Sequence, residues 1–413
     1  MSLNSKLKFH YGWVIVCCGI LILFACLGLA RFAYGMLLPA MREGLGLAYD
    51  QMGYVSTGNF AGYLLAVALA PLAIRRFKPR LTITCGLLLI ACCMLGISQS
   101  RGFVVALVLY TLTGIGSGLA NIPVMVLVSH WFRRERRGRA AGLMVVGNGA
   151  AIIFSGFFVP WLNRLYPVQG WRIGWISLGL ISVGIAGIAA CLLRNDPADM
   201  GLAPAGSRTA LDTEALTAHQ AADSGRIILH LGLLYLVFGA TYMVYGTFIV
   251  TTMVVDFNFS ETTAGMFWSW VGFFSLFSGV SFGMLSDRIG RKGGLMAAFA
   301  VQTLAYLLAG SGFGTAALLA SVVLYGLAAW AIPTIMAAAV SDYMGLSKAA
   351  AAFSVVTFFF AVGQTVGPGA AGLIAEASGS FVTSYLCSAG LTAAAILFAL
   401  FLPGPQAKAR RAA

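Results

Sequence analysis

Charge is what this sequence has least of. Asp, Glu, Lys and Arg together make up 9% of its 413 residues, against roughly 25% in a soluble domain. So few ionic side chains cannot cover a water-facing surface. Acids are scarcer than bases, 13 against 26, and none lies deep in an apolar run. Asp256, Glu261 and Glu376 fall near the ends of runs on one side, Asp287 and Asp342 near ends on the other. The four histidines, His10, His130, His219 and His230, sit in terminal, loop or edge positions. A proton relay through a membrane normally needs a buried titratable group, so a relay carried by the protein finds little support. No G-x-x-x-x-G-K-[ST] loop is present, which argues against direct ATP drive. The eight cysteines lie within or beside apolar runs without zinc spacing and read as small buried hydrophobes. No nucleophile stands with a visible base and orienting partner, and no metal-ligand cluster appears, so the chain does not read as an enzyme and implies no cofactor.

What is abundant is apolar sequence: 60% of the residues, in runs near 20 long. A membrane-spanning helix needs about 20 such residues. Short alternating strands, the mark of a membrane barrel, are absent. The runs predict an all-α integral membrane protein of twelve spans, at 12–39, 52–74, 81–99, 103–130, 138–162, 170–193, 227–255, 262–286, 293–310, 314–341, 349–375 and 381–402. The first run is too long for a signal-peptide core and reads as a retained helix.

The net charge of +13 is not a nucleic-acid signature, because the cations cluster in short segments between runs. With the N-terminus inside, the cytoplasmic segments hold 21 of the 26 Lys and Arg and the outer loops hold 4. That asymmetry predicts both termini in the cytoplasm. The longest polar stretch, 194–226, reads as a cytoplasmic linker between an N-terminal bundle, 1–193, and a C-terminal bundle with a short basic tail, 227–413. The two parts echo each other: Tyr34-Gly35 answers Tyr245-Gly246 at an offset of 211, and Ile122-Pro123 answers Ile332-Pro333 at 210. Two matches at nearly one offset indicate an internal repeat.

Between spans 8 and 9 stands Gly283-Met284-Leu285-Ser286-Asp287-Arg288-Ile289-Gly290-Arg291-Lys292. This resembles the signature loop of the major facilitator superfamily at every defining position. The resemblance implies two pseudo-symmetric six-helix bundles, with this loop helping to gate the conformation through Gly283, Asp287, Arg288, Gly290, Arg291 and Lys292. The equivalent first-half loop, Ala70 to Arg80, is degraded: Ile74 takes the acidic position and Lys78 that of the later glycine. Trp131-Phe132 before Arg136-Arg137-Gly138-Arg139, Gly170-Trp171-Arg172, and Arg194-Asn195-Asp196-Pro197 followed by Gly201-Leu202-Ala203-Pro204 look like the monocarboxylate and oxalate/formate branch. Span 1, with Gly28 to Gly35 and Leu38-Pro39-Ala40-Met41, looks like the YbfB/YjiJ-type bacterial members. Organic-anion members of that branch often carry a cation in span 8 or 11; neither span here has one.

Arg31 is the one basic residue well inside a span. A charge there costs at least ~2.5–3.5 kcal/mol and usually faces a cavity or partner. Its planar fork matches a carboxylate; the bland alternative is snorkelling or a bond to helix carbonyls. Tyr34, Asn59, Asn121, Asn148, Tyr242, Tyr245, Trp330 and Gln364 lie on the spans that line the central cavity in the superfamily. At α-helical spacing Arg31 and Tyr34 share a face, as do Tyr242 and Tyr245.

The expected function is transport of a small organic anion, a monocarboxylate, by alternating access across a bacterial inner membrane. Export of drugs or lipophilic metabolites is the alternative, and a non-transporting membrane sensor a distant third. The expected partners are the bilayer and the anion, with a coupling proton or counter-transported anion left open. No nucleic acid is expected, and the chain is taken as monomeric.

Overall fold

The computed structural model describes residues 10–206 and 224–403. The central part of the predicted linker and the basic tail lie outside them. Within them the chain is helical: α1 (Gly12–Leu23), a π-helical segment (Phe24–Phe32), α2 (Ala33–Leu45), α3 (Tyr49–Ser98), α4 (Phe103–Trp131), α5 (Arg134–Leu165) and α6 (Gly170–Leu192). After a 3-10 turn (Pro197–Met200) come α7 (Ser224–Val255), α8 (Glu261–Gly310), α9 (Thr315–Ala328), α10 (Ala331–Met344), α11 (Leu346–Ser378) and α12 (Val382–Leu400). Among the described residues no strand forms, and Phe132 and Ala205 make an isolated parallel bridge.

Ten helices among the described residues are long and apolar enough to cross a membrane. Two of them, α3 and α8, have 50 residues each. At ~1.5 Å per residue a straight helix of that length would reach about 75 Å, more than twice the ~30 Å hydrocarbon core. Neither is straight: α3 breaks at Lys78 and α8 at Gly290. Each therefore supplies two crossings, and the twelve expected spans are all present.

The described residues form two compact units. The first takes residues 10–206 together with Phe259–Gly272, the opening turns of α8. The second takes 224–258 and the chain from Phe273 onward.

In the first unit α1 and the π segment that continues it pack closely on α5. A Cβ added to Gly147 would fall on the Ile20 carbonyl oxygen, and one on Gly28 would fall on Ala151 Cβ. The second unit repeats the device between α7 and α11. Gly239 meets Phe360 O, Gly363 meets Leu236 O, and Gly367 meets Ala240 O. In a membrane, where apolar burial no longer drives helices together, close backbone approach supplies the dispersion contact that does. The sequence repeat is thus also a repeat of packing.

The loop motifs of the sequence meet one another in the first unit. The Trp131 indole N–H donates to Arg194 O at 3.0 Å, and the Arg80 amide donates to Asn195 Oδ1 at 2.9 Å. Ala205 N–H bonds to Trp131 O at 2.9 Å, and Arg133 N–H bonds to Ala205 O at 3.0 Å. The chain leaving α6 is stitched across the Lys78 break of α3 and the end of α4.

Candidate functional site

Arg31 sits in the last turn of the π-helical segment. Single π turns inside α-helices recur at functional sites. Its guanidinium carbon lies 4.6 Å from the Phe60 ring centroid and 4.6 Å from that of Tyr63. Phe60 and Tyr63 are three residues apart on α3 and so share a face. The Tyr63 hydroxyl accepts a hydrogen bond from Asn121 Nδ2 of α4 at 2.7 Å. Ring contacts of this kind hold a cation, at about 0.5–2 kcal/mol each, but leave its N–H groups unsatisfied. Nε and Nη2 of Arg31 are both buried and have no hydrogen-bond partner. Those two nitrogens form one edge of the guanidinium, the edge that grips a carboxylate with two parallel bonds. With neither nitrogen paired, no protein carboxylate among the described residues occupies that edge.

The other predicted residues of the first unit make no hydrogen bond to this edge. Asn59 is buried; its Nδ2 donates to Tyr110 O at 3.1 Å, and its Oδ1 has no partner. Tyr110 in turn donates its hydroxyl to the Arg31 carbonyl at 3.4 Å. Asn148 is buried with Oδ1 unpaired. Tyr34 is turned to other work. It is 1% exposed, lies against the Tyr110 ring at 4.7 Å with a 32° tilt, and donates its hydroxyl to Met52 O at 3.1 Å. Tyr34 and Arg31 both meet α3, Tyr34 at Met52 and Arg31 at Phe60 and Tyr63.

The four predicted residues of the second unit divide similarly. Tyr245 is fully buried, stacks on Tyr325 at 4.0 Å, and its hydroxyl bonds Ser321 Oγ at 2.8 Å. Tyr325 donates to the Tyr242 carbonyl at 2.7 Å. The pair is part of a packed phenol cluster. Trp330 lies between α9 and α10, where the span breaks three residues before Pro333. Its amide donates to Ser278 Oγ at 3.0 Å. Gln364 is 2% exposed and its Nε2 is unpaired.

The signature loop also takes definite form. Arg291 Nη1 bonds Asp287 at 2.6 Å and Nε bonds Asp342 at 2.6 Å, with Ser286 Oγ at 3.1 Å. Gly290 breaks the helix at φ 82°. Lys292 Nζ reaches the Leu400 carbonyl, and Arg288 points outward, exposed. A Cβ on Gly283 would make an ordinary 3.5 Å contact with Thr334.

Phe60 and Tyr63 did not stand out in the sequence. The available signal was an aromatic pair at i and i+3 on the span that also carries Asn59.

The sequence profile of the family described as uncharacterised MFS-type transporter YbfB matches residues 23–400. The chain belongs to this family of the major facilitator superfamily. The family is one of transporters, not enzymes, and its members are multi-pass membrane proteins. Curated relatives are distant. The phosphoglycerate transporter protein of Salmonella typhimurium is 23% identical over 40% of this chain and 36% of its own length. The 4-hydroxybenzoate transporter PcaK of Acinetobacter baylyi is 25% identical over 43% of this chain and 39% of its own. The chain thus matches well under half the length of these two. Monocarboxylate transporter 2 of Rattus norvegicus is 20% identical over 92% of this chain and 80% of its own. Among solved structures, the D-xylose-proton symporter superposes with a TM-score of 0.75 at 16% identity, over 96% of this YbfB-type chain and 98% of its own. That likeness establishes the major facilitator fold.

Proposed function

We propose that this YbfB-type transporter moves a small organic anion, a monocarboxylate, by alternating access, and that Arg31 grips its carboxylate. The observation that carries the reading is the unpaired Nε and Nη2 edge of Arg31, clamped between Phe60 and Tyr63. A buried guanidinium edge with no partner is costly, and a carboxylate relieves that cost with two charge-assisted bonds. Relatives named for monocarboxylates and 4-hydroxybenzoate are consistent with it. A hydrophobic cation would meet an unneutralised like charge, which disfavours the drug-export reading. Asn59, Asn121, Asn148 and Gln364 are proposed to contribute polar contacts. Tyr34, Tyr242, Tyr245 and Trp330 are proposed to shape the surroundings of the site by packing.

The bundle division at 1–193, 194–226 and 227–413, the cytoplasmic termini, the inner-membrane location and the monomeric state are proposed from the sequence pattern. The test is counterflow of radiolabelled monocarboxylates in proteoliposomes, with thermal-shift binding on the purified chain. Arg31→Ala should abolish both signals while leaving a folded, inserted protein. Arg31→Lys, which keeps the charge but loses the fork, should bind at least tenfold more weakly. Undiminished counterflow in Arg31→Ala would remove this reading.

A further inference from the structure

The two helix-breaking turns differ in their electrostatics. At the Gly290 turn, Asp287 and Asp342 neutralise Arg291. At the Lys78 turn, the stretch 71–81 holds Arg75, Arg76, Lys78 and Arg80 and no carboxylate. Arg80 is committed to protein: its Nε donates to Ala190 O at 2.9 Å and its amide to Asn195 Oδ1. Arg75, Arg76 and Lys78 are exposed, and their side chains have no hydrogen-bond or ion-pair partner among the described residues. Beside them Leu72, Phe77 and Leu81 are 67%, 54% and 50% exposed. A cavity of about 300 Å³ opens at the turn, lined by Phe77, Lys78, Arg80, Leu81, Thr84 and Asn195.

This combination has a direction. Exposed leucine and phenylalanine are at ease only against lipid tails, while arginine and lysine at the same level need anions. Spans 2 and 3 leave the bilayer here, so the turn lies at headgroup depth. Basic pockets at such a position bind anionic headgroups, each cation contributing about fivefold in partitioning to an anionic surface. We propose that the Lys78 turn is a binding site for an anionic phospholipid. The phosphate is held by Arg75, Arg76 and Lys78, and the acyl chains lie along Leu72, Phe77 and Leu81. The lipid supplies in the first half the negative charge that Asp287 and Asp342 supply in the second. The assignment is independent of the transported substrate.

Native mass spectrometry of the full chain in detergent, titrated with phosphatidylglycerol or with phosphatidylcholine of equal chain length, tests it. The wild type should retain phosphatidylglycerol with an affinity at least tenfold higher. The R75Q/R76Q/K78Q variant should bind the two lipids alike, and R288Q, in the other turn, should keep the wild-type preference. Should the triple variant fail to purify, R75Q/R76Q is read in the same way, with a reduced preference expected. Equal retention of both lipids by the wild type would overturn the proposal. So would a preference that survives in these variants, an equal loss in R288Q, or displacement of phosphatidylglycerol by millimolar inorganic phosphate.

Discussion

Lys78 and Gly290 adopt the same backbone conformation, φ 62° and ψ 159° in one, φ 82° and ψ 160° in the other. They hold equivalent places in the two signature loops. Only glycine enters that region without a steric cost. The first-half loop has thus lost its glycine and its acid but kept its turn. The Thr82 hydroxyl donates to Lys78 O at 2.9 Å, and Arg80 is tied to Ala190 and Asn195. These bonds hold the strained residue in place.

Lys78→Gly should therefore stabilise the protein by about 1–2 kcal/mol, the usual size of such strain. Lys78→Ala removes the charge but keeps the Cβ, so it should gain much less. Gly290→Ala should lose about 1 kcal/mol although a Cβ there meets nothing within 4 Å. Thermal unfolding of the purified variants in one detergent checks all three, and equal midpoints for the Gly and Ala variants at 78 would count against strain.

The sequence made both loops legible, but not that Lys78 keeps the backbone turn of Gly290. Hydropathy runs revealed the spans because the bilayer imposes their length, and the loop motif named the superfamily because its residues are consecutive. Arg31 was legible as an isolated charge. Its surroundings were not, because the π segment at Phe24–Phe32 has no residue signature and the two rings that clamp Arg31 come from another helix, α3. Hydroxyl commitments were hidden as well. Nothing in the order of residues announces that Tyr245 is spent on Ser321 or that Tyr63 is held by Asn121. The words Trp131-Phe132 and Arg194-Asn195 were visible, but their contact joins positions 63 residues apart.

Tyr63 positions the guanidinium. Tyr63→Phe keeps the ring over Arg31 but releases Asn121, so substrate affinity should fall several-fold, in line with about 1 kcal/mol for one hydrogen bond. Tyr63→Ala removes the ring contact too and should cost more. Transport titrations should show the change in KM, with the Phe variant's maximal rate near wild type.

In the ion-pair network of the second loop, the carboxylates of Asp287 and Asp342 are 65% and 42% exposed, and the Arg291 side chain only 18%. Exposed pairs contribute little, up to about 1 kcal/mol. Asp287→Asn and Asp342→Asn should each shift stability by less than that, and the shift should shrink at high salt. Arg291→Ala strands both acids and should be the most harmful for transport. Unfolding midpoints at low and high salt, beside counterflow rates, separate the two effects.

On the first unit's α5, Asn163 Nδ2 donates to Glu261 Oε2 at 2.6 Å, at the edge of a cavity of about 470 Å³ that Glu43 also lines. Asn163→Asp would set a carboxylate where a donor stood. The variant should be destabilised by about 1–3 kcal/mol at neutral pH and recover as acid protonates one of the two groups. Melting curves from pH 7 to pH 4 would show a rising midpoint in the variant relative to wild type; a constant difference would exclude charge repulsion as the cause.

The glycine contacts give the last prediction. Gly147→Ala and Gly363→Ala each force a methyl onto a carbonyl oxygen, and overpacking of this kind costs about 1–3 kcal/mol. Gly184→Ala, inside α6 where a Cβ meets nothing within 4 Å, should be neutral to slightly stabilising in the same unfolding assay.

The π segment has a consequence for how this helix tolerates length change. An α-helix advances about 100° per residue, so a deletion anywhere else in span 1 rotates every later side chain by that angle. A deletion between Phe24 and Phe32 is different, because it can be absorbed by tightening the wide turn back to α geometry. The first span thus carries its own slack. A register error there is recoverable as a helix, and the penalty falls on the segment's own contacts, the Gly28 seat on Ala151 and the direction in which Arg31 points.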